Sequence, residues 1–182
     1  MKYDKSKYFQ IIDNPKVKTS ELVAEMKKLF PVYCYREEHL DEDFPAPKKK
    51  TIRYFHKNVE ADEDMKNLSA NDLKEKGIVG ITLRERLIME LQYYHETGNH
   101  LDIENWTLCS DSRYADGDVP YAYWYVGNVS IRWCSPRSRL DNLRARRAVS
   151  LDTSSFNTSE SLSLDSAIRM VKNAGMIIYK PI

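Results

Sequence analysis

"VPYAYWYVGNVSIRWC", residues 119–134, decides the fold. β-Branched and aromatic residues fill both halves and a glycine sits between them, the composition of a β-hairpin. Gly127-Asn128 is the expected two-residue turn, because the left-handed backbone of such turns favours Gly and Asn. That turn pairs Val126 with Val129, Trp124 with Ile131 and Ala122 with Trp133, giving one wholly apolar face. On the other face Tyr125 opposes Ser130, Tyr123 opposes Arg132 and Tyr121 opposes Cys134. A one-residue slip would bury Arg132 and expose Trp124, so alternation fixes the faces. Burying one tryptophan is worth roughly 2–3 kcal/mol, enough to decide which face points inward.

Downstream, the stretch from Arg132 to Arg147 carries six arginines and one acid, Asp141. "LRARRAVSL" (143–151) reads as a further strand, with Ala145, Arg147 and Val149 on one side and Arg144, Arg146 and Ala148 on the other. The arginines therefore cannot share one flat patch. At least one must turn towards the covered face and find a carboxylate or carbonyl there. Arg137 and Arg139, in the "SPRSRLDN" loop, are free to reach outward. With Arg144 they form an expected basic rim, able to hold a polyanion or simply to keep a sheet edge soluble. "DTSSFNTSESLS" reads as a connector, "LDSAIRMVKNAG" as a last helix and "MIIY" as a closing strand.

Upstream, Thr82 and Glu85 form a capping box that opens the clearest helix of the chain. Leu83, Leu87, Leu91 and Tyr94 recur on one face, Arg84 and Arg86 lie off it, and Gly98 suits a left-handed stop. Ser69 and Asp72 open a shorter helix closed by Gly77. Two helices around a glycine turn suggest a helix-turn-helix, but Glu85, Glu90 and Glu96 make the second too acidic to read a DNA groove. Thr19 or Ser20 caps an earlier helix with Leu22, Met26 and Leu29 at helical spacing, ended before Pro31. "TIRYFHKNV" (51–59) reads as a strand, "DFPAPKKK" as a proline-broken connector, and residues 1–16 as an arm or loop. The expected class is α+β. A helical and mixed region (1–78) precedes an antiparallel sheet domain (79–182) that holds the long capped helix and a C-terminal helix.

At 182 residues the chain is long enough for a substantial core, and its 42% hydrophobic and 30% charged content is that of a globular protein. No apolar run approaches the ~18 residues of a membrane helix, and the first residues lack the apolar core of a signal peptide. Three cysteines at unrelated spacings suit a reducing compartment, so a cytoplasmic location is expected. No nucleotide-binding glycine loop, zinc-ligand pair or nucleophile elbow is present, and the histidines do not cluster with the cysteines. "DSRYADGD" (111–118) lacks the ligand spacing of a calcium loop and reads as a polar turn. No catalytic residue, metal or cofactor is expected.

The net charge of +1 hides segregated blocks. "EEHLDED" (37–43) contributes Glu37, Glu38, Asp41, Glu42 and Asp43, and "EADED" (60–64) four more acids. Such blocks are solvated loops or surfaces opposed to a charged partner.

Two resemblances bear on function. "WTLCSDSR…AYWYVGNVSIRW…LRARRAVSLD", within 106–152, resembles C-type-lectin-like domains of clostridial and phage proteins. There a Trp-x-Leu-Arg-Ser segment, a hairpin and a Val-Arg-Pro-Ala-Leu strand follow one another. Trp106, Leu108 and Ser110 match the first, Tyr121 to Cys134 the second, and Ala145 to Val149 the third. Cys109 replaces the Arg and Arg147 the Pro. The resemblance implies that Arg146 is the structural arginine. In length and character the whole chain resembles small phage-borne anti-CRISPR proteins that act on type II RNA-guided nucleases. That implies binding to the nuclease, with or without its guide RNA, whose nucleic-acid channels are basic. The acidic block at 37–43 and a surface of Arg137, Arg139, Arg144, Tyr121 and Tyr123 are the expected contacts. The expected function is a non-enzymatic inhibitor in the bacterial host cytoplasm. The alternatives are a lectin-like module, whose tyrosines stack on a sugar or a base, and a small nucleic-acid-acting enzyme.

Overall fold

Strand pairing in the computed structural model, which describes residue 4 and residues 6–150, gives two sheets in an α+β architecture. The expected connector, last helix and closing strand after residue 150 lie outside the described residues. Strand β1 (Tyr8–Asp13) pairs antiparallel with β3 (Thr51–His56). Residues 1–16, expected as an arm, thus contain a strand. Phe9, Ile11 and Asp13 turn inward, but Ile12 stays 38% exposed and blurs the alternation.

The second sheet has five strands. Strand β2 (Val32–Cys34) runs parallel to β6 (Asn128–Cys134) at one edge. Strands β6, β5 (Val119–Tyr125) and β4 (Trp106–Leu108) are antiparallel, and β7 (Leu143–Ala145) runs parallel to β4 at the other edge. The sheet is therefore mixed rather than wholly antiparallel, because a strand from each distant segment is laid along the central meander. Beyond β7 the chain continues as two isolated bridges, Gly80 to Arg147 and Tyr54 to Val149.

The hairpin turn falls on Val126-Gly127, one residue earlier than expected, and Trp124 pairs with Val129 and Tyr123 with Ser130. Both turn residues have positive φ (44° and 81°), the geometry that twists with the strands. Moving the turn by one residue moves every partner by two, so the faces survive. Their burial does not follow simple alternation. Tyr123, expected on the open face, is 8% exposed, whereas Trp133, expected in the core, is 46% exposed. Trp124 is only half-buried and stacks on His100, centroids 3.4 Å apart and planes 5° apart.

Helix α1 (Thr19–Leu29) starts one residue before Ser20 but is capped from Lys18, whose N–H is accepted by Glu21 at 2.7 Å. The Thr19 hydroxyl is elsewhere engaged, donating to the Phe44 carbonyl. A short helix α2 (Leu40–Asp43) follows the turn Glu37–His39. Helix α3 (Ala70–Glu75) has the expected Ser69/Asp72 capping box. Helix α4 (Leu83–Thr97) has the Thr82/Glu85 box and stops at Gly98 in the left-handed region (φ 70°).

Two apolar clusters sandwich the five-stranded sheet. The larger gathers Phe9, Ile11, Met26, Phe55, Leu87 and Ile131, so segments on both sides of residue 78 share it. The smaller packs Met65 and Leu73 against Leu108, Val119 and Leu143. The start of α4 departs from an amphipathic helix, because its off-face charges are buried too. Arg84 forks onto Asp13 (2.9 and 2.5 Å), and Arg86 reaches Asp102 (2.8 Å) and Glu90 (2.6 Å) with no exposure on any of the three side chains. Among the described residues no helix is long and apolar enough to cross a membrane.

Candidate binding face of the sheet

Strand alternation sends Val32, Ala122, Val129 and Ile131 to the larger core and leaves the opposite side chains of β2, β6, β5 and β4 on a second face. Register sets its rows. Tyr33 lies beside Ser130, which lies beside Tyr123; Arg132 lies beside Tyr121, and Asn128 beside Tyr125. The smaller cluster covers only the end of this face near Val119 and Leu108.

On the remainder the rings support one another. Trp106 stacks on Tyr121 (5.1 Å, 14°), Tyr121 on Tyr123 (5.8 Å, 22°), and Tyr125 lies 5.9 Å beyond Tyr123. Tyr123 is closed in by this row, so the expected platform of three exposed tyrosines is not formed. The open rings are Tyr33 and Tyr125, 47% and 58% exposed. The exposed Arg132 guanidinium lies over the Tyr33 ring at 4.8 Å and makes no ion pair among the described residues. Asn128 accepts the Ser130 hydroxyl at 2.7 Å, which leaves its amide nitrogen as a donor. Burial, and then the neighbouring Tyr123 phenol, push the Tyr121 phenol above its ordinary range, so it stays a neutral donor.

The expected charged contacts are placed differently. In the block 37–43, Glu37 pairs with Lys27 at 2.5 Å, and Asp41 accepts the Ser20 N–H and hydroxyl at 2.9 and 2.7 Å. The Asp43 side chain, 3% exposed, accepts the Ala115 N–H and lies 3.7 Å from Arg36. Glu38 and Glu42 project furthest, their side chains 72% and 79% exposed around His39. The block is mostly a set of loop ties.

The arginine rim is similarly divided. Arg146 is 1% exposed, as the lectin-like pattern implies, and reaches Asp102, Thr107 and the carbonyls of Asn58 and Val59. Arg139 forks onto Asp72 at 2.7 and 2.6 Å, and with Ser69 holds that carboxyl well below its usual range. Arg144 pairs with Glu63 and Arg147 with Asp64. Arg137 is exposed and makes no ion pair among the described residues. Glu60 completes the second acidic block by accepting the N–H groups of Ile103, Glu104 and Asn105. The acids of 60–64 and the arginines of 139–147 are thus largely each other's partners, or serve the chain's own backbone.

A cleft of about 340 Å³ lies between β3 and the start of α4. Arg53 there bridges Glu85 (2.9 Å) and Asp111 (3.4 Å). Burial raises the Glu85 carboxyl, and the Arg53 charge opposes that rise. Its carboxylates are already matched by guanidinium groups, and no metal-holding cluster occurs among the described residues.

Sequence reading places Tyr121, Tyr123, Tyr125 and Arg132 on this face, with Tyr123 wrongly open, and misses Tyr33. The missing signal is β2, too short for a periodic pattern and paired with a strand about a hundred residues away. Comparison with protein-family models, with curated proteins and with solved structures gives no match.

Proposed function

We propose that this protein is a non-enzymatic binding protein that inhibits a type II RNA-guided nuclease complex, and that it docks through the tyrosine face of its five-stranded sheet. The observation that supports a binding role is the pair of open rings, Tyr33 and Tyr125, beside Arg132, a cation without a carboxylate partner among the described residues. Aromatic and arginine side chains held on a rigid scaffold are what binding hot spots are made of. The target is carried by the resemblance of the chain to phage-borne inhibitors. Glu38 and Glu42 remain available to a basic channel, whereas Asp41 and Asp43 serve the fold.

Purified protein is expected to slow target cleavage by at least one member of a panel of type II nucleases and to leave bare nucleic acid intact. Failure against the whole panel removes the target. A second reading, a lectin-like module, is favoured by the same exposed rings, which suit the apolar face of a sugar. Saturable signals on a glycan array, abolished by Tyr125→Ala, support that reading instead.

A further inference from the structure

Among the described residues the tyrosine face has no acid on it. Tyr33 on β2, Tyr125 on β5 and Arg132 on β6 are exposed there, Asn128 and Tyr121 are half-buried, and Ser130 and Tyr123 are buried, so the surface offers rings, one amide and one guanidinium. The carboxylates that pair with Arg139, Arg144 and Arg147 sit elsewhere: Asp72, Glu63 and Asp64 in that order. Arg132 is therefore exposed beside rings and offers its charge to whatever covers them. We infer that the occupant of this face is single-stranded nucleic acid, with bases stacked on Tyr33 and Tyr125 and a phosphate at Arg132. The inference rests on the binding role proposed above and adds the chemistry of the ligand.

Each part follows from geometry. Tyr33 and Tyr125 stand two strands and two residues apart, about 12 Å from Cα to Cα, from ordinary strand spacings. Rings so separated take bases from a strand that is already splayed; a duplex keeps its base faces in its own stack. The face belongs to a sheet and offers no helix or ribbon to enter a groove. An anion without bases, such as heparin, satisfies Arg132 but leaves both rings unused. Asn128 contributes an amide donor within the same surface.

The test is fluorescence anisotropy with a labelled 12-nucleotide oligouridine at low salt, using the full chain. Parent protein is expected to bind, and Tyr33→Ala with Tyr125→Ala to weaken binding about tenfold or more, since each stacked base contributes substantially. Arg132→Gln is expected to reduce the slope of log affinity against log salt by about 0.7, the release from one phosphate on a single strand. Melting temperatures of the three proteins guard against unfolding. No binding by the parent, or equal binding by parent and double-ring variant, overturns the inference. Equal competition by heparin and oligouridine at matched charge also overturns it, because stacking is then idle. Nuclease inhibition unaltered in both face variants discards the inference and keeps the inhibitor reading. Ring-dependent RNA binding without nuclease inhibition keeps the inference and discards the target.

Discussion

Replacing Arg146 by Met isolates the guanidinium from its apolar stem, because Met fills a similar channel without donors. In the parent, the Arg146 Nε donates to the Thr107 hydroxyl (3.0 Å), Nη1 to the Asn58 carbonyl (2.9 Å), and Nη2 to the Val59 carbonyl (2.7 Å) and Asp102 (2.6 Å). Asp102 is itself fully buried and accepts Arg86, which also holds Glu90. Two guanidinium groups thus face two carboxylates where all four side chains are at most 1% exposed. The Met variant leaves two negative charges to one positive. Removing one partner of a buried pair costs about 3–5 kcal/mol, mostly as desolvated charge left uncompensated. Against a total stability of roughly 5–15 kcal/mol that is a large share. Adding Asp102→Asn removes the surplus charge, and the Asn side chain still tolerates the left-handed backbone at that position (φ 56°). The double variant is therefore expected to be more stable than the sum of the two single losses, by about 1–3 kcal/mol. Urea unfolding followed by tryptophan fluorescence measures all four proteins of the cycle. An Arg146→Met midpoint equivalent to less than about 1 kcal/mol of loss, or strict additivity in the cycle, refutes the account.

Two further outcomes are expected. Val126 holds a left-handed backbone at 79% exposure, so Val126→Asn, which creates the favoured Asn-Gly turn, is expected to stabilise by about 1 kcal/mol. That corresponds to a rise of about 2–4 °C in melting temperature, and an unchanged or lowered value means the turn lies elsewhere. Burial first, and then the Glu37 charge, push the Cys34 thiol up to about 12, and burial pushes Cys134 up to about 11. Folded protein at pH 8 is expected to resist a thiol reagent that labels all three cysteines after denaturation. Because the folded thiols keep their protons where unfolded ones lose them, above about pH 9, stability is expected to fall as pH rises towards 11–12. Rapid labelling in the folded state, or stability that rises over that range, contradicts the burial of these groups.

Local hydrogen bonding was readable in the sequence, and tertiary pairing was not. The caps at Ser69 and Thr82 were legible because donor and acceptor are three residues apart and no other part of the chain intervenes. At α1 the same logic chose Thr19 or Ser20, but the Thr19 hydroxyl serves the Phe44 carbonyl and accepts from Arg84, and the cap moves to Lys18. The hairpin kept its faces although its turn moved, because a two-residue shift of partners preserves alternation. Strand β1 was obscured because its partner lies some forty residues on and its one exposed isoleucine breaks the pattern.

Charge was the least legible property, since the burial of an ion is decided by pairs. Arg84 and Arg86 look like the polar side of a helix until Asp13, Glu90 and Asp102 are brought beside them. The acidic run at 60–64 looks like a surface for a partner until Arg144 and Arg147 reach it. The same pairing makes the candidate site visible by subtraction. Once Asp72, Glu63, Asp64 and Asp102 have been assigned to Arg139, Arg144, Arg147 and Arg146, Arg137 and Arg132 remain in that stretch among the described residues, and of the two it is Arg132 that lies on a tyrosine ring. Its ring contact at 4.8 Å orients the guanidinium without neutralising it, which is the state a phosphate-binding arginine requires before its ligand arrives.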